Sequence, residues 1–291
     1  MRLGVVFPQL EIGSDPARIR YYVEAVESLG YRHLVAFDHV LGASRDRPGG
    51  DRFSYDERSL FHEPFVLFGW IAAFSKLELA TAVLVLPQRQ TALAAKQAVE
   101  IDILTHGHFR LGVGIGWNFV EFEALGQRFT NRGRRIEEQI ALMRRLWTEQ
   151  VVDLTGRWHR VDRAGLNPLP VQRPIPVWMG GNADPALERI ARIADGYFTQ
   201  LQPNEAGLAQ LERFRGDLRE AGRDVASFPI EGRVTVARLA GPEDWVRTAE
   251  AFRDLGFTHL EINTMGAKLA SVDDHIATLR RFREDAKALF S

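Results

Sequence analysis

Apolar residues along this chain follow two alternating rhythms. Short β-prone runs such as Leu3–Phe7 are apolar nearly throughout, and the stretches between them carry apolar residues at helical spacing, as Ile136, Ile140, Met143 and Trp147 do. The pattern predicts strands at 3–7, 33–37, 78–85, 109–114, 176–179, 195–199, 230–236 and 258–263. Helices are expected near 16–29, 64–74, 91–105, 131–148, 184–194, 204–221, 242–255 and 272–289. Start signals support several of them: Asp15-Pro16 and Asp184-Pro185 each put a capping carboxylate before a proline, and Ser271 with Asp274 resembles a capping box. Eight strands, each followed by a helix, in 291 residues predict an α/β fold, a (β/α)8 or TIM barrel with modest insertions.

A short internal echo fits this count. Ala25 to Leu34 and Ala251 to Leu260 share one pattern: a helix end, a glycine, an aromatic residue and a strand start. It places His33 and His259 at the start of barrel strands, the stability face, so both are expected to be structural. Two connections exceed ordinary loop length, one after strand 2 (40–63) and one before strand 5 (149–175). The first belongs to the C-terminal mouth as a candidate lid; the second contains a hairpin turning at Thr155-Gly156 and then a proline-rich run. Nothing resembles a linker, and residues 1–291 are expected to form a single domain.

Composition narrows the function. The chain has 37 basic and 38 acidic residues, a net charge of −1, so no overall attraction to nucleic acid is expected. It has no cysteine, hence neither a disulfide framework nor a thiolate nucleophile. Met1 to Phe7 reads as a strand rather than a signal peptide, and the apolar stretch Phe65–Phe74 falls far short of the ~20 residues a membrane helix needs. The expectation is a soluble, cytoplasmic protein without membrane contact.

In a barrel the working groups lie at the C-terminal strand ends. Strand 2 ends in Phe37-Asp38-His39, a carboxylate and an imidazole that either exchange protons or merely cap and pack under the following loop. Strand 4 runs into Gly112-Val113-Gly114-Ile115-Gly116-Trp117-Asn118, where the backbone can approach a planar ligand and Trp117 can lie against it; a kinked strand explains the glycines equally. Asn118 with Glu121 resembles a capping box for a helix that follows at once. Strand 5 ends in Met179-Gly180-Gly181-Asn182 beside a helix start, an anion site suited to a cofactor phosphate or an ordinary glycine turn with Asp184 filling the helix end. Lys268 is the sole lysine placed to serve as a Schiff-base group. His106 and His108 precede strand 4 on the wrong face for a metal site, and no metal is expected. The Arg134-Arg135, Arg144-Arg145 and Arg280-Arg281 doublets read as solvated ion-pair faces.

Three segments together resemble a known family. Leu79-Ala80-Thr81-Ala82-Val83-Leu84-Val85-Leu86-Pro87, the Leu111–Asn118 run with Glu121-Phe122-Glu123-Ala124-Leu125-Gly126, and Arg173-Pro174-Ile175-Pro176-Val177-Trp178-Met179-Gly180-Gly181 are similar to the bacterial luciferase-like family, and within it to the branch assigned to coenzyme F420, a deazaflavin. The resemblance covers nearly the whole chain. It implies a flavin or deazaflavin ring across the barrel mouth, backed by a bulge with a cis Ala82–Val83 bond and flanked by Gly114, Gly116 and Asn118, with the phosphate end near Gly180, Gly181 and Asn182. It also implies a homodimer. Asp38 and His39 match an aspartate–histidine pair of the family's deazaflavin sugar-phosphate dehydrogenases. Those enzymes carry an acidic residue where this chain has Trp117, a departure that bears directly on their substrate and proton-transfer scheme.

The leading expectation is an oxidoreductase moving a hydride between F420 and an organic substrate, with His39 as proton donor or acceptor, Asp38 orienting it or the ring, and Trp117 beside them. The alternative is an FMN-dependent monooxygenase supplied with reduced flavin by a partner reductase; a third reading is a catalytically silent flavin-binding protein. The strand 7–strand 8 connection, 237–257, has room for one helix and little else. That favours the deazaflavin, which reacts poorly with oxygen and needs less shielding from water.

Overall fold

The computed structural model describes residues 1–290. Eight parallel strand positions close into a barrel: β1 (Arg2–Val6), β2 (His33–Ala36), β3 (Glu78–Thr81) with its continuation β4 (Leu84–Val85), β5 (Phe109–Gly114), β8 (Val177–Gly180), β9 (Gly196–Phe198), β10 (Ile230–Thr235) and β11 (His259–Asn263). Pairing of β3 with β5 shuts the ring. Strand β6 (Val152–Thr155) pairs antiparallel with β7 (Arg160–Ala164) as the separate expected hairpin, closed by a bond from the Gly156 N–H to the His159 carbonyl.

Helices α1 (Pro16–Ser28), α2 (Pro64–Ile71), α3 (Thr91–Leu104), α5 (Arg132–Thr148), α6 (Asp184–Ile193), α7 (Glu205–Glu220), α8 (Pro242–Asp254) and α9 (Val272–Asp285) connect the barrel strands, with a short α4 (Phe119–Ala124) after β5. No helix among the described residues is long and apolar enough to cross a membrane. Most of the core lies between the strands and this outer layer, where α5 buries Ile136, Ile140, Met143 and Trp147 as its spacing predicts. Asp15 caps α1 by accepting from the Ala17 N–H, and Ser271 caps α9 by accepting from the Asp274 N–H. Asp184 is not a cap: Ala183 occupies that position, and the Asp184 carboxylate reaches outward to Arg213. Of the arginine doublets, Arg144, Arg145 and Arg281 form ion pairs as expected, but Arg135 turns inward and donates to the Pro87 carbonyl, supporting the turn after β4.

The barrel interior is charged as well as apolar. Val6, Val35, Ala80, Trp178 and Phe198 share it with Glu78, Arg110, Glu231, His33 and His259. Arg110 donates to both Glu78 and Glu231, and His33 stands 2.6 Å from Glu231. Burial pushes Glu231 up, but His33 and Arg110 overcome this and hold it well below the ordinary carboxylate range. His259 is driven down to about 3, first by burial and then by Arg110. These buried charges compensate one another, as groups removed from water must. His33 and His259 thus sit where the sequence echo places them, in the structural floor.

Candidate active site

The strands converge on a cleft of about 660 Å³ at their C-terminal ends, within the range of small-molecule sites. Ten of the eleven candidate residues line it: Asp38, His39, Ala82, Val83, Gly114, Gly116, Trp117, Gly180, Gly181 and Asn182. Asn118 does not. Its carboxamide oxygen accepts from the Val120 N–H to cap α4, and its nitrogen donates to the Leu41 carbonyl.

The floor is set by an interruption of the third barrel strand. The expected run 78–85 divides at Ala82–Val83, whose peptide bond is cis. Val83 projects between two glycines of neighbouring strands. A Cβ at Gly114 would come 2.5 Å from Val83 Cγ2, and one at Gly180 would come 2.9 Å from Val83 Cγ1, so neither position accepts a larger residue beside that valine. These glycines accommodate the bulge.

Asp38 supports the same segment. Its buried carboxylate accepts from the Val85 N–H (2.9 Å) and from Arg89 (2.8 Å), which also binds Glu63. Burial raises the Asp38 carboxyl above its ordinary value, and Arg89 and the Val85 N–H only partly oppose it. Asp38 makes no hydrogen bond to His39, so of the two roles expected for it, orienting the imidazole has no contact behind it.

Glu121 makes that contact. Its carboxylate lies 3.2 Å from His39 Nδ1 and accepts from the Val40 and Leu41 N–H groups at 2.7 and 3.1 Å, with Gln88 donating at 3.3 Å. Burial pushes Glu121 up, but its bond to His39 and its other donors outweigh this and hold it below the usual carboxylate range. An ionised carboxylate only accepts, so Nδ1 carries the proton. Nε2, which has no protein partner among the described residues, is left free to give or take one. Glu121 is thus no capping-box partner of Asn118; it ties the start of the 40–63 loop to α4.

That loop folds over the mouth. Arg45 pairs with Asp56, and Arg47 packs over Phe119. Tyr55 and Phe61 join Trp117 in a ring of aromatics about His39, with centroids 5.2, 4.8 and 5.4 Å from the imidazole. The 149–175 segment contributes nothing to the cleft, and its hairpin is fastened instead to Glu138 by three backbone N–H groups. Lys268 is exposed and outside the lining, leaving the Schiff-base alternative without a group in the cleft. Arg233 and Arg238, on and just after β10, also line the cleft, and neither was singled out from the sequence.

The family model described as luciferase-like monooxygenase matches residues 1–289. The chain belongs to the luciferase-like monooxygenase family. Among its luciferase-like relatives is an uncharacterised protein of Mycobacterium tuberculosis (strain ATCC 25618 / H37Rv), 32% identical over 281 residues, 91% of this chain and 93% of that one. An FMNH2-dependent dimethylsulfone monooxygenase of Pseudomonas fluorescens (strain Pf0-1) is 33% identical over 183 residues, 62% of this chain and 48% of that one. Two solved structures share the luciferase-like fold. Monooxygenase RslO1 from Streptomyces bottropensis has a TM-score of 0.81 at 18% identity, covering 100% of both chains. An F420-dependent secondary alcohol dehydrogenase in complex with an F420-acetone adduct has a TM-score of 0.78 at 15% identity, covering 98% of both chains. Relatives of this fold thus work with either FMN or F420.

Proposed function

We propose that this chain is an F420-dependent oxidoreductase that moves a hydride between the deazaflavin and a small organic substrate. The reading is supported by how little covers the cleft. The 40–63 loop contributes Ser54 and Tyr55 to the lining, and β10 and β11 are joined by one tight turn and α8 with no long insertion. A coenzyme that tolerates oxygen suits such a site better than one whose oxygenated form must be shielded. Residues 1–291 are taken as one catalytic domain acting in the cytoplasm as a homodimer.

The lining fits a flat, phosphate-bearing ring system. Ala82, Val83, Gly114, Gly116 and Trp117 would hold the ring, and Gly180, Gly181 and Asn182 its phosphate end. When bound, the reduced coenzyme supplies a hydride. His39 gives or takes the accompanying proton at Nε2, and Glu121 keeps Nδ1 protonated so that Nε2 is the exchanging atom. Tyr55, Phe61 and Trp117 exclude water around the imidazole. Asp38 acts on the strand beneath.

A second reading, an FMN monooxygenase fed by a separate reductase, is favoured by one observation: the Pseudomonas relative named for FMNH2 shares 33% identity over 183 residues. Fluorescence titration of the purified chain with both coenzymes separates the two. Tighter binding of reduced F420 is expected; tighter binding of FMN with substrate-dependent oxygen uptake overturns the first reading.

A further inference from the structure

The cleft brings two kinds of chemistry together. Aromatic rings surround His39, and two guanidinium groups, those of Arg233 and Arg238, line the same cleft. Arg233 donates from Nε to Glu261, and its two terminal nitrogens have no hydrogen-bond partner among the described residues. Its guanidinium carbon lies 4.8 Å from the centre of the Phe37 ring, so a fork of donors is held in the lining. Arg238 ends the tight turn Val236–Arg238 after β10. It is exposed, lines the same cleft and pairs with no carboxylate among the described residues. Among the described residues the lining contains one acid, Asp38, which Arg89 and the Val85 N–H already engage. Arg233 is thus paired with Glu261 through Nε, and the charge left without a carboxylate partner in the lining, among the described residues, is that of Arg238.

We propose that Arg238, with Arg233 and Tyr55, forms an anion subsite that holds a carboxylate or phosphate of the substrate and so brings its reacting carbon to His39. The proposal rests on the oxidoreductase reading for the identity of that substrate. Its class is a compact organic acid or phosphate ester with an apolar body. The aromatic rings take the body, and the guanidinium groups take the charge through paired N–H donors.

Two observations assign this anion to the substrate and not to the coenzyme. The Tyr55 ring lies 5.2 Å from His39, at the reacting end. Arg233 and Arg238 line the same cleft as Tyr55, and both oppose the rise that burial gives its hydroxyl. Gly180 and Gly181, the candidate phosphate cradle, stand on and after β8, which β9 separates from β10.

Calorimetric titration of the full chain, with and without bound F420 or FMN, tests this using benzoate, phenyl phosphate and the neutral benzyl alcohol. Both anions are expected to bind at least about 10-fold more tightly than the alcohol, with an affinity that falls as salt rises. Arg238→Ala should remove that advantage, leave benzyl alcohol binding unchanged and leave the thermal midpoint unchanged, because the side chain has no hydrogen-bond or ion-pair partner among the described residues. Tyr55→Phe should weaken the anions a few-fold. Equal affinity of benzoate and benzyl alcohol for the wild-type chain overturns the proposal. So does an Arg238→Ala variant that loses coenzyme and keeps benzoate, since the charge then serves the coenzyme's own acidic groups. Anion discrimination in a chain that binds neither coenzyme supports the subsite while removing the redox reading.

Discussion

The carboxylate of Glu121 lies 3.2 Å from Nδ1 of His39 while accepting the N–H groups of Val40 and Leu41. One side chain of α4 therefore sets the tautomer of the imidazole and anchors the loop that carries it. The two roles separate by substitution. Glu121→Gln keeps an acceptor for both backbone groups but removes the charge opposite Nδ1. Turnover should fall and its pH profile should shift, with little change in thermal midpoint. Glu121→Ala strands both N–H groups and should also cost about 1–3 kcal/mol of stability. Identical stability losses in the two variants, with no shift in the pH profile, would falsify the orienting role.

His39→Ala should lower turnover about 10²–10⁴-fold, the usual contribution of a general acid or base, with only a modest stability change. His33→Ala should do the opposite. It removes the partner 2.6 Å from Glu231 inside the barrel and should cost about 3 kcal/mol, with activity per folded molecule preserved. Denaturant melts and kinetics on the same preparations distinguish the cases. Activity losses that simply track stability in both variants would show that the two histidines share one role.

Acid should destabilise the fold in a window set partly by His259. Its folded-state pKa, about 3, lies below the unfolded value of about 6.5, so the unfolded chain binds more protons between them. The contribution is complete above pH 6.5 and is lost as pH falls towards 3. Between pH 7 and pH 5 the loss is about 2 kcal/mol. A His259→Asn variant should show a flatter stability profile over that interval in urea titrations, even if it is less stable at pH 7. Parallel profiles for the two proteins would rule His259 out as the group responsible.

Gly181 allows a test of the phosphate end. Its φ of +155° disfavours a side chain, and a Cβ there would come 2.8 Å from Ala186 Cβ on α6. Gly181→Ala should therefore weaken F420 and FMN alike, because both carry a phosphate at that end, and should also lower the thermal midpoint. Adding Ala186→Gly relieves the contact but not the backbone conformation, and should recover at most part of the stability without recovering coenzyme binding. If the double variant binds both coenzymes normally, the phosphate lies elsewhere.

The barrel was legible because hydrophobic rhythm reports burial directly, and each of the eight expected strands aligns with a strand position of the barrel. The strand-end rule likewise led to Asp38, His39, Gly114 and Gly180. What it could not supply was the direction of side chains leaving a loop or helix. Asn118 and Glu121 have the spacing of a capping box, and only the returning 40–63 loop turns Glu121 to His39 instead. Arg233 did carry a signal. Glu231, Arg233 and Thr235 alternate along β10, as His259, Glu261 and Asn263 do along β11, and polar residues at period two in buried strands mark an interior lined with charge. Arg238 carried none, being an arginine in a turn.

The fit of Val83 between Gly114 and Gly180 restricts the order in which this site can change. Each glycine is adjusted to the valine methyl group facing it, and the two glycines belong to different strands. A lineage that gains a side chain at 114 or 180 must first shorten the one at 83, and the reverse order passes through an overpacked intermediate. The three positions thus behave as one unit of inheritance, although 31 and 66 positions of chain separate them.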